Sequence, residues 1–311
     1  MESKCMRCGR EAAVYRPYSG EVLCRRCFTE SVEIRVRRTI SRYRMLQPDS
    51  RIAVAVSGGK DSVVHLHVLA KIEERFPKSE LIAVTVDEGI EGYRNESLEI
   101  IEEAVRRLQV PWLKTSFKEL FGRTLDEIIR AASEILGERR LGACTYCGVL
   151  RRRAINTLAV KAGADVVATA HNLDDEAQTI LMNILKGDLT RFLRNKPARR
   201  NVEGFVPRVK PLREIPEEEI VLYAYFNRIR YHETPCPYHA EAYRDDVRAF
   251  INKIETQRPG TKYNIVRIHE KITQLIPEEE ELKVSTCTNC GQPASSEKCK
   301  VCQLLEEIGG S

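Results

Sequence analysis

No apolar run in the 311 residues approaches the roughly 18 that a membrane-spanning helix needs; the longest, "IAVAV" and "LIAVTV", are strand-sized. The opening "MESKCMRC" has no hydrophobic stretch of the secretory kind, so a cytoplasmic protein without membrane attachment is expected. Little favours disorder. Hydrophobic residues make up 42% and charged residues 31%, and the mean hydropathy of −0.36 is ordinary for a folded soluble chain. Neither sign of charge dominates: 50 Lys and Arg against 45 Asp and Glu leave +5. That mild lean toward polyanions does not by itself establish nucleic-acid binding. The length sits at the upper limit of a single core, which predicts a main domain with appendages.

Cysteine is plentiful. The count of 11 is odd, and five C-x2-C pairs occur, a pattern that suggests reduced thiolates binding metal rather than a disulfide framework. Cys5, Cys8, Cys24 and Cys27 form C-x2-C-x15-C-x2-C, while Cys287, Cys290, Cys299 and Cys302 form C-x2-C-x8-C-x2-C. Each quartet supplies four thiolates for a tetrahedral zinc ion. Such short segments cannot fold on a core of their own, so metal binding would supply their folding free energy. The expected division is a zinc ribbon over 1–32, a catalytic domain over 33–280 and a second zinc ribbon over 281–311. No internal repeat is visible apart from these paired knuckles.

After the first ribbon, Val32, Val36, Ile40, Tyr43 and Leu46 fall on one helical stripe, with Arg35, Arg37, Arg38, Arg42 and Arg44 mostly off it. The stripe suits a linking helix, and the arginines suit either solvent or a phosphate backbone. From Arg51 strands and helices alternate. "RIAVAV", "LIAVTVD", "PWLKTS" and "DVVATA" read as strands; Ser62–Phe76, Glu96–Leu108 and a segment near Leu150–Lys161 read as helices. Continuous Val/Ile-rich runs, without polar alternation, indicate a parallel sheet covered on both faces. The fold class is therefore α/β, a doubly wound parallel sheet with ligands beyond the carboxyl ends of its strands. After Pro216 the chain reads mainly helical to Pro277, and "EEEE" at 278–281 leads into the second ribbon.

Within "AVAVSGGKDSVVHL" a strand ends at Val56, a turn follows, and a helix begins near Ser62. Gly58 and Gly59 permit close backbone approach, and successive amides with the helix N-terminus make an anion site. Lys60 adds a cation; Ser57 and Ser62 can donate to phosphate oxygens. Asp61 after Lys60 rules out a Walker A loop, and the dinucleotide fingerprint G-x-G-x-x-G is absent. In "ATAHNLDDEAQT", Asn172 suits an N-cap with Asp175 three residues on. Paired acids there are also where magnesium, a nucleotide or a base would be reached. Cys144, Cys147 and Cys236 are left over. Three thiolates leave open zinc completed by His239, a redox pair, or an iron–sulfur cluster with one iron free for an exogenous ligand.

S-G-G-K-D-S after the first strand resembles the PP-loop of the N-type ATP pyrophosphatases, which cleave ATP to AMP and pyrophosphate while adenylating a carbonyl oxygen. H-N-x-D-D-E-A resembles the second signature of PP-loop enzymes that modify tRNA. With the cysteine trio and both ribbons, essentially the whole chain is similar to the TtuA-type tRNA 2-thiouridine synthetases. The resemblance implies a [4Fe–4S] cluster on Cys144, Cys147 and Cys236, with one open iron holding the sulfur. It implies ATP–Mg²⁺ with phosphates on Ser57, Gly58, Gly59, Lys60, Asp61 and Ser62, adenine against Ala55 and Val86, and contacts from Ala170 and Asp174. Arg151 and Asp175 are the implied catalytic residues; an arginine stands where the family often has lysine, and can steady phosphate but not shuttle a proton. Further implications are 2-thiolation of a tRNA uridine (5-methyluridine at position 54 of the T loop foremost), a thiocarboxylated ubiquitin-like sulfur carrier, and a homodimer. Wobble-uridine and cytidine thiolases share most of these motifs, and a non-catalytic zinc-ribbon RNA-binding protein is the rival outside enzymes. The basic clusters Arg191, Arg194, Lys196, Arg199, Arg200 and Arg208, Lys210, Arg213 are expected to meet the tRNA backbone.

Overall fold

The computed structural model describes residues 4–195, 202–238, 244–276 and 284–309. Lys196, Arg199, Arg200, His239, Pro277 and the acidic run at 278–281 lie outside the described residues.

The chain opens with a two-stranded antiparallel ribbon, β1 (Val14–Arg16) and β2 (Glu21–Leu23), followed by the long helix α1 (Arg25–Arg42). The central sheet is built from β3 (Arg51–Ala55), β4 (Glu80–Asp87), β5 (Trp112–Ser116), β6 (Val166–Ala168) and β7 (Arg208–Val209). All its pairings are parallel and its order is β5-β4-β3-β6-β7. Intervening helices are α2 (Lys60–Glu73), α3 (Arg94–Leu108), α4 (Phe117–Phe121), α5 (Leu125–Leu136), α6 (Ala143–Lys161), α7 (Leu173–Leu185) and α8 (Leu189–Arg194). The helical part that follows comprises α9 (Glu217–Asn227), α10 (Arg244–Gln257) and α11 (Thr261–Leu275). A last hairpin, β8 (Ser285–Thr286) with β9 (Pro293–Ala294), precedes α12 (Lys300–Glu306).

The central strands are hydrophobic on both sides because both sides are covered. Ile52, Ala53 and Val54 of β3 are wholly buried, with Ile52 and Val54 in one core and Ala53 in the other. One core joins α1, α2, α3 and α9; the second joins α5, α6 and α12. Since the order runs outward from β3 through β4 and β6 in opposite directions, a crevice opens beyond their carboxyl ends, where doubly wound sheets place ligands.

Several features depart from the sequence expectation. β7 is a fifth strand two residues long, too short to leave a periodicity. α6 starts at Ala143, so Cys144 and Cys147 lie on its first turns instead of in a preceding loop. α1 is not simply a solvated linker: Arg35 donates to Glu219 at 2.8 Å, and Arg42 to Glu214 at 2.8 Å. Buried Arg16 reaches Glu219 at 2.7 Å and Ser31 at 2.7 Å, docking the ribbon onto α9. Of the cations expected at the tRNA backbone, Arg213 is internal and Lys210, half-buried, is paired inward. Lys210 pairs with Glu176 at 2.6 Å, and wholly buried Arg213 pairs with Glu270. A buried carboxylate needs such partners, and it draws both cations inward.

Candidate functional site: a cavity between a phosphate loop and a cysteine trio

A cavity of about 340 Å³ opens at the crevice between β3 and β6. Ala55, Ser57, Gly59, Asp61, Ser62, Val86, Arg151, Ala170 and Asp175 line it, all of them residues singled out by the sequence. Loop 56–60 turns through Gly58 at φ +91°, where an added Cβ would stand 2.7 Å from Ser97 Cβ. Gly59 caps α2 without a side-chain bond, so the first-turn amides keep their donor capacity for an anion. The Ser62 hydroxyl accepts from Ser57 N at 3.1 Å and donates to Gly59 O at 2.9 Å, which closes the loop on itself.

The second wall is the start of α7. Asn172 and Asp175 form a reciprocal capping box, with Asp175 N donating to Asn172 Oδ1 at 2.9 Å and Asn172 N to Asp175 Oδ2 at 3.2 Å. The Asn172 amide also donates to Asp61 Oδ1 at 2.9 Å, joining the two loops. Capping leaves Asp175 Oδ1 in the cavity, where Arg244 meets it at 2.9 Å. Asp174 is placed differently. Its carboxylate accepts from Glu217 N at 2.8 Å and pairs with Lys262, and it does not line the cavity. Lys60 likewise does not line it; the ammonium bridges Asp61 at 2.9 Å and Glu217 at 2.7 Å. Burial pushes the Asp61 carboxyl up, against the downward pull of Lys60.

The third wall carries Glu88 and Arg151, with sulfur behind it. Arg151 stands one turn beyond Cys147 on α6, and its Nη2 donates to Cys147 Sγ at 3.0 Å. It lines the cavity while remaining partly open to solvent. Its Nε lies 2.8 Å from Glu88, which is 2% exposed. Burial is the largest single influence and weakens the cation, but the charges of Glu88, Cys147 and Cys236 together with the Glu88 hydrogen bond outweigh it and raise Arg151 above its ordinary value. Burial pushes the Cys147 thiol up to about 11, with Arg151 pulling the other way and Glu88, Cys236 and Cys144 adding to the rise. Cys236 packs into the same core as Cys147, and Cys144 Sγ lies 3.8 Å from Tyr238 O, two residues beyond Cys236. The trio thus converges beside the cavity from α6 and the segment before α10. Among the described residues, the groups bringing three or more ligand atoms within 4.8 Å of one another are the two terminal quartets.

The quartets themselves have ion geometry. A tetrahedron of Zn–S bonds of about 2.3 Å has sulfur–sulfur edges of about 3.8 Å. Cys8 and Cys24 stand 3.6 Å apart, Cys287 and Cys302 3.8 Å, and Cys290 and Cys299 3.8 Å. The amides of Cys299, at 3.2 Å, and Cys290 bring the Cys287 thiol down to about 6. A thiolate is the form a metal takes.

Sequence reasoning passed over Glu88, Arg94, His171 and Arg244. Glu88 and Arg94 had one legible signal, an acid directly after a parallel strand with a cation six residues on. Arg244 had none, because it arrives from a distant helix. On the cavity's outer side, Arg208 Nη2 donates to Arg152 O at 2.7 Å. Burial and then Arg152 bring Arg208 down to about 10, and no carboxylate pairs with either guanidinium among the described residues.

The sequence pattern of the PP-loop domain matches residues 29–255, and that of the N-terminal LIM domain of 2-thiouridine synthetase TtuA matches residues 4–29. The chain is 38% identical to the tRNA 2-thiolation protein NcsA of Haloferax volcanii, over 98% of this chain and 99% of that one. It belongs to the PP-loop family of tRNA 2-thiolation proteins. Cytoplasmic tRNA 2-thiolation protein 1 of Drosophila melanogaster is 40% identical, covering 97% of this chain and 86% of that one. Among solved structures, the U34-tRNA thiolase NcsA of Methanococcus maripaludis, determined with its [4Fe–4S] cluster, matches with a TM-score of 0.84 at 34% identity. That match covers 98% of this chain and 97% of the other. No helix among the described residues is long and apolar enough to cross a membrane.

Proposed function

We propose that the protein 2-thiolates a tRNA uridine in the cytoplasm, adenylating the C2 oxygen with ATP and replacing it with sulfur. The carrying observation is one cavity with an uncapped helix N-terminus after β3 on one side and, on the other, Arg151, whose guanidinium reaches back to Cys147 of the cysteine trio. Phosphates sit on the amides of 57–62, and adenine lies against Ala55, Val86 and Ala170. Asp61 and Asp175 offer oxygen ligands to Mg²⁺. Arg151 stabilises charge developing on the departing phosphate, a role that needs a fixed cation and not a titrating one. Arg244 masks Asp175 until a nucleotide–magnesium complex competes for that carboxylate. Asp174 supports this wall from behind, by holding Glu217 N and Lys262.

A [4Fe–4S] cluster on Cys144, Cys147 and Cys236 would supply an iron with an open position for the incoming sulfur. Zinc suits the two quartets, in the flanking segments 1–32 and 281–311. The full-length likeness to a U34 thiolase favours the wobble uridine. The match of residues 4–29 to the N-terminal LIM domain of 2-thiouridine synthetase TtuA supports 2-thiolation of a uridine without choosing its position, and the T-loop 5-methyluridine at position 54 is the second reading. A ubiquitin-like thiocarboxylate donor and a homodimer complete the proposal.

The experiment is anaerobic thiolation with ATP and unmodified tRNA, followed by nucleoside mass spectrometry with position mapping. Cys236→Ala should abolish 2-thiouridine and the cluster's visible absorption while both zinc ions stay. Full thiolation by a colourless, iron-free Cys236→Ala protein would refute the assignment. AMP and pyrophosphate formed without any thionucleoside would redirect it to another PP-loop reaction.

A further inference from the structure

One carboxylate in the cavity wall has no role in the reading above. Glu88 directly follows the last residue of β4 and is 2% exposed. Its Oε1 lies 2.8 Å from Arg151 Nε and its Oε2 3.1 Å from Arg94 Nε. Arg94, 5% exposed at the start of α3, donates to Ser57 O at 2.9 Å and Val86 O at 2.8 Å. Arg151 in turn donates to Cys147 Sγ at 3.0 Å. These hydrogen bonds and ion pairs form one continuous chain from the phosphate loop through Arg94, Glu88 and Arg151 to a sulfur of the trio; the Arg94–Glu88 link is an ion pair without an aligned hydrogen bond. A buried acid between two guanidiniums is costly to assemble unless both partners hold it in good geometry. Arginine's planar fork can face a carboxylate and a sulfur at once in fixed directions, which an ammonium cannot do.

We infer that Glu88 is a positioning residue for thiolation: it fixes the Arg151 guanidinium between the nucleotide cavity and Cys147. The inference rests on the proposed function and adds the residue that aims the cation. Arg94 keeps its two carbonyl acceptors without Glu88, so the phosphate loop stays in place. Arg151, whose side chain is 45% exposed, would keep only its sulfur contact and swing. The loss therefore falls on turnover and not on ATP capture.

The test compares wild type, Glu88→Gln, Arg151→Lys and the double variant as cluster-loaded, zinc-replete enzymes. Each single variant should lower kcat by about tenfold or more with KM for ATP within about twofold, the pattern of an interaction made in the transition state. If the two act as a unit, the double variant falls no further than the worse single one, whereas independent roles would multiply the losses. Both singles should also displace the g-values of the reduced cluster in electron paramagnetic resonance, because hydrogen bonding to a ligating sulfur tunes its electronics. Glu88→Gln turnover within twofold of wild type, multiplicative losses, or an unmoved resonance would overturn the inference. So would loss of iron or an early melt in Glu88→Gln, either of which makes Glu88 structural. If wild type thiolates no tRNA, the functional reading fails while the spectroscopic comparison still judges Glu88.

Discussion

Gly58→Ala is expected to destabilise the protein through the phosphate loop, and its neighbour provides the control. Gly58 has φ +91°, a backbone region that costs an L-residue about 1–2 kcal/mol. The new Cβ would also stand 2.7 Å from Ser97 Cβ and 2.8 Å from Ser97 O on α3. Helix backbone cannot rotate away as a side chain would, so overpacking adds about 1–3 kcal/mol. The sum is about 2–5 kcal/mol. At about 2 °C per kcal/mol for a large chain, Tm should fall by about 4–10 °C. Gly59 has ordinary extended dihedrals, φ −70° and ψ 159°, and an added Cβ there meets only Ser57 Oγ at 3.8 Å. Gly59→Ala should therefore melt within about 1 °C of wild type, yet bind ATP more weakly, since its methyl narrows the phosphate seat. Circular-dichroism melts and ATP titration calorimetry on both variants decide the matter. A Gly58→Ala melt matching wild type, or equal destabilisation by the two, would refute the geometric argument.

Two further outcomes are expected. His65 is fully buried with neither ring nitrogen hydrogen-bonded, and burial holds it at about 3 against an ordinary 6.5. The unfolded chain binds a proton below about pH 6.5 that the folded protein refuses, so stability is complete above that pH and is lost as pH falls toward 3. At about 1.4 kcal/mol per unit, roughly 2 kcal/mol is lost by pH 5. His65→Leu should flatten the Tm–pH profile by about 4 °C over that interval; parallel profiles would contradict the assignment. Arg208→Ala should weaken tRNA binding and reduce the slope of log affinity against log salt by about 1. A wild-type slope would remove Arg208 from the phosphate contacts.

Legibility in the sequence followed locality. The phosphate loop, the capping box and both sulfur quartets are each encoded within a few consecutive or regularly spaced residues, so spacing alone located them. Asn172 with Asp175 was readable as a cap because both partners lie in one turn. Arg244 and Glu88 were not readable as partners of Asp175 and Arg151, because the contacts join distant segments. Lys210 and Arg213 show the opposite failure: cations close in sequence suggest a surface, but acids from α7 and α11, Glu176 and Glu270, draw them inward. Paired acids Asp174 and Asp175 look equivalent as letters. One residue of helical rotation turns the first toward α9 and α11 and leaves the second in the cavity.

The helix carrying Cys144, Cys147 and Arg151 packs in one core with Val301, Leu304 and Ile308, and Arg123 grips the carbonyl of Ile308 at 3.1 Å. Domains made on the ribosome fold from the beginning of the chain onward, so the wall that holds the trio stays incomplete until the final stretch is synthesised and its knuckle has taken up metal. Biogenesis thereby gains an order of assembly: the structural ion arrives before the reactive centre can be securely housed. If, as proposed, the last quartet takes zinc and the trio a cluster, protein made without zinc would retain iron poorly.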